Sequence, residues 1–340
     1  MKWIISHQSA LEFWRRAQAE NALAEKRLRA MKFQAKPIDI VELQAENFYG
    51  LTTPLHVLVG ACNARKVNRN LQCHVNTVEL PHGSFIRMDS GMVVSSPELC
   101  FLQMAGELPF VDLVALGYEL CGNYRLATGN DPAGQNTTGN DESAENRGFR
   151  DDLPLTSVSN LISYIAKAIG SKGRKNAMKA LHFVADGSAS PMETILAIMI
   201  ILPYRLGGYG FPKPLLNYCI EEPSANKSNP KSTSKPKVYY CDLYWPEEKV
   251  DVEYDSDAYH TGSARIEQDA IRRNALTNMG ITVITVSRRQ VIAALKMREL
   301  AKVLSRLLRK RLRYPRTEFT YRQAKLLEQL LPKLPTTCNL

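Results

Sequence analysis

Apolar residues in this chain fall at helical spacing in some stretches and at alternating spacing in others, and two polar stretches interrupt them. Ser9-Ala10-Leu11-Glu12 has the form of a capping box, and helix formers continue to about Met31, which predicts one N-terminal helix closed by Pro37. From Ile38 to Val94, short apolar runs such as Leu55-His56-Val57-Leu58-Val59 alternate with Gly and Asn and read as strands. Ser96-Pro97-Glu98 opens a helix to about Ala105, and another is expected over Pro109 to Tyr118. Thr128 to Asp152 holds almost no apolar residues and buries too little to order itself, so it reads as a disordered linker. Helical periodicity returns over Val158–Ile169 and Arg174–Phe183. Ser190-Pro191-Met192-Glu193 then combines a capping Ser, a Pro at the first helical position and a Glu that closes a capping box.

Glu221 to Lys237 is a second polar linker, and after it the period changes. Val238–Trp245 and Lys249–Asp255, joined by the tight Pro246-Glu247-Glu248 turn, read as a hairpin. A helix from about Ser263 to Met279 ends at Gly280, Ile281–Val286 is an apolar strand, and Arg289–Arg313 reads as one long basic helix before Pro315. The order predicts an α/β (α+β) fold, with a small mixed C-terminal sheet flanked by helices behind a mixed N-terminal domain. The expected divisions are a basic helix over 1–36, a mixed α/β region over 37–127, the linker over 128–152, the C-terminal domain over 153–316, and a helix and tail over 317–340.

A length of 340 residues suits about two domains. The longest apolar run, Ile195–Leu202, falls far short of the ~20 residues a membrane-crossing helix needs, and Ser6-His7-Gln8 breaks the N-terminal apolar run before a secretory signal forms. The seven scattered cysteines form no Cys-x-x-Cys pair and suit a reducing, cytoplasmic setting, with Cys100 and Cys121 as small buried hydrophobes. Charge changes the picture once it is located. Arg288–Arg316 holds eleven Lys and Arg against one acid, equal to the whole formal charge of +10. A second basic run, Lys2–Lys36, holds eight against three. Either these are solvated helix faces, or they meet a polyanion such as DNA. Under the second reading Arg298, Lys302, Arg306, Arg309 and Arg313 hold phosphates.

The hairpin carries the candidate chemistry. Alternation puts Asp251, Glu253 and Asp255 on one face, and Tyr240, Asp242 and Tyr244 on one face of the preceding strand. If residues 246 to 249 form the loop, Trp245 pairs with Val250 and Asp242 stands opposite Glu253, where opposed Cβ atoms lie about 4.5–5.5 Å apart. Two carboxylates so placed repel unless a cation sits between them, and Mg²⁺ (or Mn²⁺) meets that need. The alternative is an acidic, solvated hairpin face. His260 lies just past the acidic strand as a proton carrier or a turn residue, and Asp269 and Arg272 stand one helical turn apart, as a local ion pair or facing one groove.

Asp242-Leu243-Tyr244-Trp245, Val252-Glu253-Tyr254-Asp255, His260 and Asp269-x-x-Arg272 with Leu276 and Gly280 resemble the very-short-patch-repair-like endonuclease domain of the restriction-endonuclease-like, PD-(D/E)xK superfamily. The resemblance covers about residues 185 to 295, and Glu193 matches the glutamate of that family's preceding helix. Asp255 stands where the superfamily has its lysine. The resemblance implies a Mg²⁺-dependent DNA endonuclease in which Asp242 and Glu253 bind the metal, helped by Asp255 and Glu193, while His260 handles a proton. Leu55-His56-Val57, His74-Val75, Leu80-Pro81 and Val94–Cys100 are similar to part of the abortive-infection E-type antitoxins, which implies a phage-defence or toxin–antitoxin setting with a cognate partner protein. A nucleic-acid-binding regulator that has lost catalysis is the second expectation.

Overall fold

The computed structural model describes residues 4–17, 26–28, 50–66, 69–88, 92–127, 148–222, 237–255, 263–312 and 316–331. The described residues form two compact units, one over 4–184 and one over 185–331. Both mix helices and strands, so the protein belongs to the α/β class. Among the described residues no helix is long and apolar enough to cross a membrane.

The first unit is built on six strands: β1 (Ile4–Ile5), β2 (Lys26–Leu28), β3 (Leu55–Val59), β4 (Leu71–Val75), β5 (Phe85–Arg87) and β6 (Val93–Ser95). They lie in the order β2-β5-β6-β1-β3-β4, with β3 and β4 parallel. Helix α1 (His7–Arg16) packs on β3 and on α2 (Pro97–Met104), and its buried Trp14 donates from Nε1 to the Ser95 carbonyl at 2.8 Å. α3 (Phe110–Cys121), α4 (Val158–Lys167) and α5 (Arg174–Leu181) complete the layer, and Cys100 and Cys121 are buried as expected.

Three expectations are corrected here. The N-terminal helix is shorter than Ser9–Met31: it is capped at Ser6, ends at Ala17, and Lys26–Leu28 pairs with Phe85–Arg87 as a strand. Glu12 closes no capping box, because its carboxylate accepts from Thr52 N and Oγ1 and pairs with Arg16. The expected linker is ordered at its end, where β8 (Phe149–Asp151) pairs with β7 (Tyr124–Leu126). The compact division falls after Val184, with α4 and α5 packed on α2 and α3.

The second unit opens with α6 (Pro191–Ile201), a helix buried on every side as its unbroken apolar run requires. Strands β9 (Leu215–Glu221), β10 (Val238–Trp245) and β11 (Val250–Asp255) form an antiparallel meander. Helix α7 (Ser263–Asn278) crosses back to β12 (Thr282–Ser287), which runs parallel to β11 and gives the order β12-β11-β10-β9. Gly280 takes the left-handed conformation (φ 78°) that ends α7, and the Ile281 amide returns to the Leu276 carbonyl at 3.0 Å. That closure seats Leu276 and Ile281 against Cys241 and Tyr244, with Met279 and Val283 at the edge.

The expected basic helix is two. α8 (Arg288–Ile292) is capped by Ser287 and Gln290, and α9 (Ala294–Leu307) starts after an extended Ala293, before α10 (Arg316–Leu330). Arg309 follows α9 with φ 50°.

Candidate acidic site

The hairpin register is the one its turn predicts, with Trp245 opposite Val250 and Leu243 opposite Val252. The next step along would place Asp242 opposite Glu253, and there strict alternation fails. Cys241 and Tyr244 are three positions apart, yet both sit in the cluster around Leu276. β9 slips in step: the ring of Tyr218, opposite Cys241, stacks on Tyr244 at 5.5 Å, and Asn217 between takes a left-handed φ of 45°. The correction to the expected face is that Tyr240 is exposed while Tyr244 is buried. Asp242 lies at the slip, and its Oδ2 accepts the Tyr254 amide at 2.8 Å.

The slip brings Cys241 onto the acidic face. Cys241 Sγ, Asp251 and Glu253 offer ligand-type atoms within 4.8 Å of one another, all three residues buried, and Asp242 is not part of that group. Asp251 is 0 % exposed; the groups that adjoin its oxygens are the Cys241 thiol and the Glu253 carboxyl, and no N–H donor reaches either oxygen. Glu253 is paired: the Arg272 guanidinium donates to both its oxygens at 2.7 and 2.6 Å and also to the Tyr240 carbonyl. The cation that the sequence demands between these acids is thus, in part, supplied by the protein. Arg272, read as a local ion pair or as facing a groove, turns its fork onto Glu253.

Glu193 lies on α6, where its oxygens accept from Ala189 N, Ser190 Oγ and Asn217 Nδ2 at 2.9–3.1 Å. Ser190 Oγ accepts the Glu193 amide, but the carboxylate takes the Ala189 amide and not that of Ser190, so only the Ser190 half of the expected capping box forms. Its charge still reaches the strands. Burial first, then Glu193 and Glu253, push the Asp242 carboxyl up to about 8. Burial, then the adjoining Glu253, push Asp251 up to about 9. Burial also raises Glu193, and burial with Asp251 raises the Cys241 thiol. Burial pulls Arg272 down, but pairing with Glu253 outweighs it and holds the guanidinium above its ordinary value.

Asp255 is half-buried at the end of β11. His260 and Arg313 fall outside the described residues, as does the Asp269 side chain. Arg298 is half-buried and bonds Thr320 Oγ1 at 2.9 Å, while Lys302, Arg306 and Arg309 are exposed. Asp251 and Cys241 were absent from the sequence candidates. Asp251 was readable as Glu253's neighbour two positions back; Cys241 was not, because only the slip at Asp242 turns it inward.

No family model, no curated protein and no solved structure matches this chain.

Proposed function

We propose that this protein is a divalent-metal-dependent phosphodiesterase acting on DNA in the cytoplasm, in a phage-defence or toxin–antitoxin setting. The observation that carries the reading is Asp251: fully buried, without an N–H donor, beside Glu253 and within the field that raises Asp242 and Glu193. Four carboxylates against one guanidinium leave a deficit that protons fill in the ion-free protein and that a hard cation can fill instead. The donor set fits Mg²⁺ or Mn²⁺, since burial keeps the Cys241 thiol protonated and leaves carboxylate oxygens as the ligands. Asp251 and Glu253 would hold the ion, with Asp242 adjoining. Bound there, it would supply a hydroxide at neutral pH and neutralise charge on the phosphate.

Two further features support the reading. The helix–three-strand–helix–strand order of α6, β9, β10, β11, α7 and β12 carries its acids in the sequence of the resembling nuclease domain. Exposed Lys302, Arg306 and Arg309 offer cations for backbone phosphates.

A second reading, a DNA-binding protein without catalysis, is favoured by one observation: Arg272 already occupies both Glu253 oxygens. Supercoiled plasmid incubated with Mg²⁺, Mn²⁺ or a chelator separates the two. The nuclease reading expects metal-dependent nicking by the native chain and its loss in Asp251→Asn and in Glu253→Gln. Nicking equal in all three proteins would remove this site from the reaction. Salt-sensitive binding without nicking would establish the second reading.

A further inference from the structure

The first unit contains a separate cluster that the nuclease reading does not use. Its members come from four places: His7 at the start of α1, His56 on β3, His74 on β4, and Glu107 in the turn after α2. Parallel pairing sets Leu58 opposite His74, so His56 and His74 share one face of the sheet. His7 is held in the left-handed region (φ 48°), which residues with a Cβ avoid, by donating its amide to Gln103 Oε1 at 3.0 Å. That conformation lays the His7 ring on the His74 ring, centroids 3.5 Å apart and 12° from parallel.

Each imidazole is fixed from its far side. His7 Nδ1 bonds Ser6 Oγ at 3.0 Å, and His74 Nε2 bonds His56 Nδ1 at 3.0 Å. With His7 protonated on Nδ1 and His74 on Nε2, the opposite nitrogens are left as acceptors, and both lie near one carboxylate oxygen. His7 Nε2 is 3.9 Å and His74 Nδ1 is 3.6 Å from Glu107 Oε1. Both distances are too long for a hydrogen bond. Ligands about 2.0–2.2 Å from a tetrahedral Zn²⁺ are about 3.4 Å apart, so both N···O spacings are within about half an ångström of what a shared ion sets, and the stacked rings would tilt apart to aim both nitrogens at it.

An ion pair is the rival account of these contacts, and it requires charged imidazoles. Burial, the neighbouring histidines and Lys172 hold His7 down to about 2, and burial, His56, Arg65 and Lys172 hold His74 down to about 4. Burial thus works against the charged imidazoles that an ion pair needs. His7, His74 and Glu107 line a cavity of about 350 Å³, with Arg65 and Lys172 also in its wall.

We infer that His7, His74 and Glu107 form a binding site for a Zn²⁺-class transition-metal ion, with His56 orienting His74 from behind. The set is two imidazoles and a carboxylate, and the remaining coordination position opens onto the cavity. Arg65 and Lys172 suit an anion as the fourth ligand.

The test uses the full chain stripped with a chelator, titrated with Zn²⁺ against a chromophoric competitor and with Co²⁺ for its visible ligand-field bands. The native chain is expected to hold one equivalent that Glu107→Gln and His74→Ala each weaken by about 100-fold or more. His56→Ala should weaken it by the ~10–100-fold typical of an outer hydrogen-bond partner. That equivalent should survive in Glu253→Gln, which alters the acidic site, and in His182→Ala, which removes an exposed histidine. Glu107 is 34 % exposed, so its Gln variant keeps the fold and decides the matter if His74→Ala does not. A native chain that binds no such equivalent, or one that Glu107→Gln binds equally well, overturns the assignment.

Discussion

At the scale of single residues, Asp251 is the position where structure and chemistry disagree most. Its folded pKa lies far above its ordinary value, so the folded protein holds a proton there that the unfolded chain releases. Stability from this group is present in full below about pH 4 and is lost as pH rises toward about 9. In chelator, the melting temperature of the second unit should therefore fall with pH across that window, and Asp251→Asn should flatten the slope. Arg272 gives a second prediction. Removing it leaves Glu253 buried without its partner, and Arg272→Ala should cost about 2–3 kcal/mol in denaturant melts. Arg272→Lys should recover only part of that, because an ammonium cannot bond both oxygens as a planar fork does. The acids on β11 were legible from alternation alone. Arg272's real partner was not, since sequence places Asp269 nearer than a strand residue nineteen positions away.

Among elements, those with local signals were readable and those set by tertiary contacts were not. The hairpin followed from its turn residues, and α6 from Ser190, Pro191 and Glu193, of whose capping bonds the one to Ser190 Oγ forms as expected. The end of α1 at Ala17 has no Pro or Gly to announce it; the competing demand is β2 pairing with β5. The break at Ala293 is equally silent, as alanine is the best helix former. α7 depends on one contact more than on its propensity. Leu276 is fully buried where that helix meets the sheet, and Leu276→Ala should lower unfolding free energy by about 2–5 kcal/mol, measured by urea titration.

For the whole molecule, the histidine cluster of the first unit and the acidic site of the second push stability in opposite senses as pH changes. The depressed values of His7 and His74 mean that their contribution to the first unit's stability is complete above about 6.5 and is lost as pH falls toward 4 and below. Hydrogen exchange read unit by unit should show the first unit loosening first in acid, and the second loosening first in mild alkali. Charge gives a further expectation for DNA. If Lys302 and Arg306 each neutralise a phosphate, the double alanine variant should reduce the salt slope of binding by about 2, with little change across sequences.

The matched slip of β9 and β10 binds the histories of these two strands together. A residue gained or lost in one of them alone would turn Tyr244 and Cys241 away from Leu276 and carry the acids of the hairpin out of line with Arg272. A length change in either strand is therefore expected to need a matching change in the other.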